Sequence, residues 1–387
     1  MEQALSGMRI LDFGQYIAGP FAAMLLAEHG AEVIKIERPG GDPCRDRPGF
    51  MVWNRSKKGI TLDLKKEEGR KIARDLAKHA DILIENFRPG MADKLGIGYE
   101  TIRQLNPRLV YCSISGFGRK GPYRDLPAWD PIVFSAAGVF VEQAGESNPP
   151  LYLVMPMPSY YAALVAAFSV TTALVARETT GQGQRVDVSL LNALAFAASS
   201  GLIEFEGQMK IPFEDPQGAI PCYKFYQGSD GEWFFLGMGN FVFFTKFAML
   251  MDRPEWLIDP LFEGAPFMIL PPRSAEVIAM FKEIFATKTR DEWIELLRAE
   301  DIPCAPARPV EQFLDDPQVI ANEMVVTLDQ PGLGKVRQMG VPVKLRRTPG
   351  KVQDRSPLLG EHSEAILADI LDYPARKITE LKEGQII

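Results

Sequence analysis

Basic, amide and aromatic side chains follow three apolar runs in the N-terminal half of the chain. They are Gln15 and Tyr16 after the first run, Arg38 after the second, and Asn86, Phe87 and Arg88 after the third. In open α/β sheets, ligands bind outside the carboxyl ends of the strands, where arginine donates forked hydrogen bonds to phosphate and aromatic rings offer stacking surfaces. These residues indicate a site for a nucleotide-like anion. The alternative is that they are solvated loop residues without a ligand.

A parallel sheet is the element expected to bring these side chains together. Strand-like runs at residues 8–13, 32–37, 81–85, 108–114 and 184–190 alternate with helical patterns at 21–29, 66–79 and 191–204. This alternation predicts an α/β fold with helices on both faces of the sheet. Gly14, Gly19 and Gly30 do not form Gly-x-Gly-x-x-Gly, so a dinucleotide site of the usual kind is not supported.

The second half of the chain has a different pattern, and 387 residues are enough for two domains. A hairpin is predicted at residues 222–238 with its turn at 228–231, followed by helices at 240–251, 274–288 and 290–299, the last capped by Thr289. A strand-like segment at 325–345 and a helix at 363–371 follow. We therefore expect a large domain beginning with residues 1–205, a small α+β domain at 222–325, and a return of residues 326–387 to the large domain.

Charge and cysteine content argue against several classes of function. A formal charge of −7 disfavours nucleic acid and anionic membranes as partners, because phosphate surfaces require clustered Lys and Arg. The cysteines, at positions 44, 112, 222 and 304, are too scattered for zinc ligands, and no metal is expected. The first residues have neither a basic start nor an apolar run, so we expect no signal peptide and a cytoplasmic location.

One uncharged stretch, residues 151–176, is long enough to cross a bilayer. Pro156 and Pro158 interrupt its beginning, and the remainder is rich in Ala, Ser, Thr and Tyr instead of Leu and Ile. The sequence therefore predicts a helix at residues 160–177 that is buried within protein and does not span a membrane.

Histidine chemistry is not favoured by the sequence. His29 and His79 lie at the ends of helical patterns, and His362 lies in a polar turn. Neither a histidine pair at metal-ligand spacing nor a Gly-x-Ser-x-Gly element is present. The sequence therefore favours neither metal-dependent hydrolysis nor a Ser-His-Asp mechanism, because the required residues are missing.

Several strings resemble family III CoA-transferases, a group that includes formyl-CoA transferases, carnitine CoA-transferases and α-methylacyl-CoA racemase. They occur in the family's order along nearly the whole chain: LDF at 11–13, AGP at 18–20, GAEVIKIERPG at 30–40, LDLK at 62–65, ENFRPG at 85–90, LNPRLV at 105–110, GFG at 116–118, TGQGQ at 180–184 and LLGEH at 358–362. The resemblance implies a Rossmann-like large domain, a small domain, and two subunits interlocked as rings.

The resemblance also implies a site for coenzyme A or acyl-CoA on the large domain. Position by position, the family's coenzyme contacts fall on Gln15, Tyr16, Ile17, Arg38, Leu62, Lys65, Asn86, Phe87 and Lys94. By this comparison Arg38, Lys65 and Lys94 would neutralise the phosphates, while Leu62 and Phe87 would border the adenine or the pantetheine.

The family's nucleophile is an aspartate that attacks the thioester to form a mixed anhydride. Counted back from the TGQGQ string, its position falls on Ser159, or on Pro158 after a slip of one residue. Neither residue replaces a carboxylate, since a serine hydroxyl needs a base and proline has no reactive group.

Trp129 stands where racemases have histidine, and Asp130 is expected to cap a helix. Residues 213–218 lack the glycine run of formyl-CoA transferases and retain Gly218.

Four hypotheses remain from the sequence. The first is a non-catalytic (pseudoenzyme) subunit of a heteromer, whose homologous partner retains the aspartate; benzylsuccinate CoA-transferase resembles this arrangement. The second is an active transferase with a displaced acid, for which Glu204 and Glu206 are candidates. The others are a non-enzymatic acyl-CoA-binding protein and an engineered serine at 159. Aromatic residues that favour a bulky acyl group are Tyr160, Tyr161, Phe205 and those at 241–244.

Overall fold

The computed structural model describes residues 2–145, 148–199, 201–208, 217–218 and 220–387. The strands of this part are β1 Arg9–Asp12, β2 Glu32–Glu37, β3 Lys57–Thr61, β4 Ile82–Glu85, β5 Val110–Ser115, β6 Arg185–Ser189, β7 Tyr223–Gln227, β8 Trp233–Gly237, β9 Cys304–Pro306, β10 Val325–Gln330 and β11 Gly334–Met339.

The helices surround these strands along the whole chain. They are α1 Ala18–Glu28, α2 Pro48–Trp53, α3 Glu67–Lys78, α4 Met91–Lys94, α5 Tyr99–Leu105, α6 Asp130–Ala136, α7 Val139–Ala144, α8 Met157–Thr180, α9 Leu190–Ala197, α10 Phe241–Leu250, α11 Arg273–Phe285, α12 Arg290–Ala299, α13 Pro317–Ala321, α14 Ser363–Leu371 and α15 Ala375–Glu383. Short 3₁₀ turns occupy Pro254–Leu257, Pro260–Phe262 and Val310–Asp315.

Six of the described strands form one parallel sheet in the order β3-β2-β1-β4-β5-β6. Its central strands are buried on both faces, which explains their continuous apolar sequences. The strand order reverses between β1 and β4, and such a switch point leaves a crevice at the carboxyl ends of the two strands. The predicted α/β class with a parallel sheet is confirmed.

The chain divides into two compact units. The first contains residues 1–137, 153–203 and 314–387, and the second contains residues 138–152 and 204–313. The expected domain ranges, 1–205, 222–325 and 326–387, stay predictions. Residues 138–152, which include α7, belong to the second unit, although their sequence position assigned them to the large domain.

The second unit is built on an antiparallel sheet of the order β7-β8-β9 with α10, α11 and α12. Phe247, Phe281 and Phe285 are fully buried at the centre of its aromatic core. Thr289 and Glu292 form a reciprocal capping box at the start of α12, as the spacing predicts. Strands β7 and β8 pair antiparallel, which confirms the hairpin predicted at 222–238.

Helix α8 is long and apolar enough to cross a membrane by length and composition. In the first unit it packs on α1 and α9 and on strands β5 and β6. Ala162, Ala163, Ala166 and Val170 are buried on that side, because their small side chains allow close approach. The opposite side exposes Leu164, Phe168 and Val175. The helix is thus a packed element of the fold with one uncovered apolar face.

Some elements were not predicted. Strand β3 was missed because its sequence, KKGIT, starts with two lysines; Lys57 is nevertheless buried, since it pairs with Asp12 at 2.8 Å. Helices α2 and α15 were also missed. Of residues 213–218, which lack the glycine run of formyl-CoA transferases, positions 213–216 lie outside the described residues.

Candidate functional site

The loop after β1 is supported from below by buried charges. The Asp12 carboxylate accepts a hydrogen bond from the Gly14 backbone N–H at 2.8 Å, and the Lys35 ammonium donates to the Gly14 carbonyl. Lys57 donates to Asp12 and to the Pro20 carbonyl, both at 2.8 Å. Burial lowers the pKa of Lys57 to about 8, while Asp12 acts in the opposite direction. Residues 14–20 are therefore fixed at both ends by paired, buried charges.

The next two residues of this loop are held equally tightly. The Asn86 side chain accepts a hydrogen bond from the Gln15 N–H and donates one to the Gln15 carbonyl, both at 2.7 Å. Tyr16 has a backbone φ of 63°, a region that bulky residues rarely adopt. Its ring packs edge-on against Trp129 with 5.1 Å between the centroids. Strained residues of this kind often occur in ligand-binding loops.

A cavity of about 350 Å³ opens at this loop, at the carboxyl ends of β1, β4 and β5. It is the crevice that the switch point between β1 and β4 predicts. Its walls are mixed in character, with amide, aromatic, cationic and carboxylate groups. Residues on these walls include Gln15, Tyr16, Asn86, Phe87, Arg88, Ser115, Gly116, Arg124, Trp129, Asp130 and Ser159.

The nine predicted coenzyme contacts divide into groups. Gln15, Tyr16, Asn86 and Phe87 line the cavity. Arg38, Lys65 and Lys94 are exposed: Arg38 directly follows β2, Lys65 follows β3, and Lys94 ends α4. Ile17 and Leu62 are buried in the core, with about 1% of their surface exposed. The cavity and the exposed cations thus lie along one edge of the sheet, and the ligand assignment remains a prediction.

Ser159 and Asp130 meet at the floor of the cavity. The Ser159 backbone N–H donates to Asp130 Oδ1 at 2.7 Å, and the Ser159 hydroxyl donates to Oδ2 at 2.8 Å. Ser159 is 1% exposed and Asp130 is 2% exposed. Asp130 was expected to cap its own helix α6, but its carboxylate also binds the first turn of α8 through both hydrogen bonds from Ser159.

Burial raises the pKa of Asp130 above its usual value, and the two hydrogen bonds from Ser159 act against this rise. Two tyrosines lie in the field of this carboxylate. Burial, and next the Asp130 charge, raise the pKa of Tyr16, and burial also raises that of Tyr160. The site therefore holds a desolvated carboxylate beside a serine hydroxyl.

Arg124, Trp129 and Asp130 were not predicted as cavity residues. Arg124 and Trp129 lie in the long loop between β5 and α6, and Asp130 is the first residue of α6; no regular pattern in residues 119–129 predicts that this segment returns to the switch point. Glu204 and Glu206, the displaced acids considered from sequence, are exposed residues of the second unit.

We expect Ser159→Ala to lower the free energy of unfolding by about 1–2 kcal/mol, because a buried hydrogen bond to a carboxylate is lost. Urea unfolding measures this change. Thr172→Ala on the same helix is the control, since that hydroxyl donates to a backbone carbonyl at an exposed position. An equal effect of both substitutions would contradict the assigned strength of the pair.

The chain matches the family model described as CoA-transferase family III over residues 5–363. It is 31% identical to the succinyl-CoA–D-citramalate CoA-transferase of Chloroflexus aurantiacus over 99% of this chain and 98% of that protein. It is also 31% identical to the beta subunit of that organism's succinyl-CoA–L-malate CoA-transferase, again over 99% and 98%. A solved CAIB/BAIF family protein from Brucella suis is 29% identical, with a TM-score of 0.83 over 96% of this chain and 100% of that one.

Proposed function

We propose, from the premise that this chain belongs to CoA-transferase family III, that it moves coenzyme A between an acyl-CoA and a carboxylic acid as a subunit that does not use residue 159 as nucleophile. The observation that supports this most is the cavity at the switch point, which combines backbone-clamped Gln15, aromatic Phe87 and cationic Arg88 and Arg124. Thiol esters of coenzyme A need such a mixture, because they join an anionic nucleotide to an apolar arm.

One form of the proposal is a non-catalytic subunit in a heteromer, with the aspartate on a homologous partner. Ser159 at the family's nucleophile position supports this form, and one relative is named as a beta subunit. The exposed apolar face of α8 formed by Leu164, Phe168 and Val175 also supports a partner, since apolar patches of this kind are usually covered. The partner we propose for it is a second family III chain, interlocked with this one.

The other form is an active chain that uses a different carboxylate. The buried Asp130 supports it, because its carboxylate oxygens accept hydrogen bonds from Ser159 and the residue lines the cavity. A carboxylate nucleophile needs no general base, which suits a site where histidine is not among the cavity residues of the described chain. The geometry favours this second form.

The test combines coenzyme binding, turnover and assembly. The purified chain is titrated with coenzyme A by calorimetry, and its transfer of coenzyme A from succinyl-CoA to a panel of carboxylic acids, including benzylsuccinate, is followed. Native mass spectrometry of the protein from cells that make it identifies its partner. We expect binding by the chain and turnover either alone or with a homologous partner.

Two outcomes would overturn the proposal. A chain that does not bind coenzyme A is not a family III subunit in function. A chain that binds it tightly, assembles with no homologue but itself and catalyses no transfer is an acyl-CoA-binding protein.

A further inference from the structure

We infer that Asp130 is the carboxylate that receives the acyl group when this chain transfers coenzyme A. The inference rests on the second form of the proposed function and goes beyond it by assigning the reacting atom. Its basis is the position of Asp130, a residue of the cavity lining whose carboxylate lies within hydrogen-bond distance of both the backbone and the side chain of Ser159.

The geometry gives the carboxylate one orientation. Each oxygen accepts one hydrogen bond from Ser159, and the backbone N–H of Asp130 itself also acts on the carboxylate. The Ser159 N–H belongs to the first turn of the 24-residue helix α8, whose N-terminal end stabilises negative charge. These donors favour the ionised form of Asp130, and Gln15 and Trp129 line the same cavity.

Desolvation of Asp130 also supports the inference, because burial of a carboxylate is unfavourable for folding. A buried carboxyl that merely capped α8 would be served as well by asparagine, whose amide oxygen accepts from the same N–H. The carboxyl group of Asp130 is instead buried in an environment that raises its pKa. Groups that are retained against folding stability and that line a cavity are frequent among catalytic residues.

The transfer balances with this single carboxylate. An Asp130 oxygen attacks the thioester carbonyl carbon, forming a C–O bond while the C–S bond breaks and the electron pair leaves on the thiolate of coenzyme A. The thiolate then attacks Asp130 Cγ, which forms an aspartyl thioester and releases the donor as a carboxylate. The acceptor carboxylate then attacks Cγ of the aspartyl thioester, which forms a new mixed anhydride and releases the thiolate. The thiolate finally attacks the acceptor's carbonyl carbon, which forms the new acyl-CoA. Asp130 is regenerated, and no net proton is gained or lost.

Ser159 is a positioning residue in this sequence of steps. A serine ester would have an alkoxide as its leaving group. An alkoxide is a much poorer leaving group than a thiolate or a carboxylate, so the acyl group would not be returned to coenzyme A. The hydroxyl proton is donated to Asp130 in the structure. We therefore expect Ser159→Ala to retain transfer and to move the acid limb of its pH profile to higher pH, because a hydrogen bond that lowers the pKa of Asp130 is removed.

The experiment traps the acyl-enzyme on the intact protein. The purified chain is incubated with succinyl-CoA and quenched with hydroxylamine, which converts an aspartyl anhydride or thioester into a hydroxamate, and peptide fragmentation locates the modified side chain. Asp130→Asn is the test variant. Asp125→Asn is the control, since this acid is exposed and lies on the same segment of chain. Calorimetric titration with coenzyme A accompanies every variant and reports whether the fold and the site are retained.

We expect a hydroxamate on Asp130 in the unsubstituted chain and in Asp125→Asn. In Asp130→Asn we expect no hydroxamate, unchanged coenzyme A affinity and a loss of transfer by at least about a thousand-fold. A hydroxamate on Glu204 or Glu206 would overturn the inference and leave the proposed function standing. So would an unlabelled chain that becomes active when a homologous partner is added. Loss of coenzyme A binding by the unsubstituted chain would overturn the proposed function itself.

A second readout separates catalysis from capping. Because burial raises the pKa of Asp130, the contribution of this carboxyl to stability is present at low pH and is lost as pH rises through the raised pKa. Asp130→Asn should therefore gain stability relative to the unsubstituted chain as the pH rises above the usual pKa range of an aspartate. A relative loss of stability at those pH values would mean that the charge serves the helix and not the reaction.

Discussion

Lys57→Met should lower the free energy of unfolding by about 3–5 kcal/mol, because it leaves the Asp12 carboxylate buried and without its main partner. Both side chains are fully buried, and Lys57 also holds the Pro20 carbonyl at the end of the loop that borders the cavity. Urea unfolding of the purified chain measures the change.

The neighbouring Lys58 provides a matched control. It pairs with Glu32 at 2.7 Å, but its side chain is 52% exposed, so Lys58→Met should cost less than about 1 kcal/mol. The double variant Asp12→Leu with Lys57→Met should recover most of the loss, since an apolar pair removes both buried charges. Equal losses for Lys57→Met and Lys58→Met would show that the buried pair does not stabilise the loop.

Asn86→Ala should weaken binding of coenzyme A by at least about ten-fold, because the Gln15 backbone loses both of its hydrogen bonds to this side chain. Without them, the strained backbone of Tyr16 is free to relax to a negative φ, and the cavity wall moves. Calorimetric titration with coenzyme A measures the affinity.

Asn322→Ala is the corresponding control, since that side chain is exposed and donates to a carbonyl of its own helix. It should leave the affinity unchanged. If Asn86→Ala bound coenzyme A as tightly as Asn322→Ala does, the loop after β1 would not form part of the coenzyme site.

The fold is predictable from the sequence where burial of one or both faces of an element requires apolar residues in a regular pattern. Strand β2 begins and ends at the predicted residues, because its apolar side chains reach the core on both faces of the sheet. Strand β3 was not predictable in this way. Its buried Lys57 is tolerated because of Asp12, a residue 45 positions away in sequence, and local patterns contain no information about such a partner.

The absence of distant partners from local sequence patterns also explains which site residues were predicted. Gln15 and Asn86 follow strands, so the sheet order brings them together and the strand-end argument finds them. Asp130 lies 29 residues before Ser159, and the second unit's segment of residues 138–152 lies between them in sequence. Their contact depends on how α6 and α8 pack, and sequence reasoning therefore treated Asp130 as a cap of its own helix.

This contact also changes the balance between the two forms of the proposed function. From the sequence, serine at 159 removed the reacting acid and favoured a non-catalytic subunit. In the structure, a carboxylate occupies the adjacent position, at 2.8 Å from the Ser159 hydroxyl. With serine at position 159, the cavity lining thus still includes an acid.

Exchange of radiolabelled succinate into succinyl-CoA by the purified chain tests this account most directly, because donor and acceptor are the same acid and no other acceptor has to be known. We predict exchange that persists in Ser159→Ala and disappears in Asp130→Asn. Exchange lost to the same extent in both variants, or retained in Asp130→Asn, would contradict the claim that Asp130 replaces the missing nucleophile.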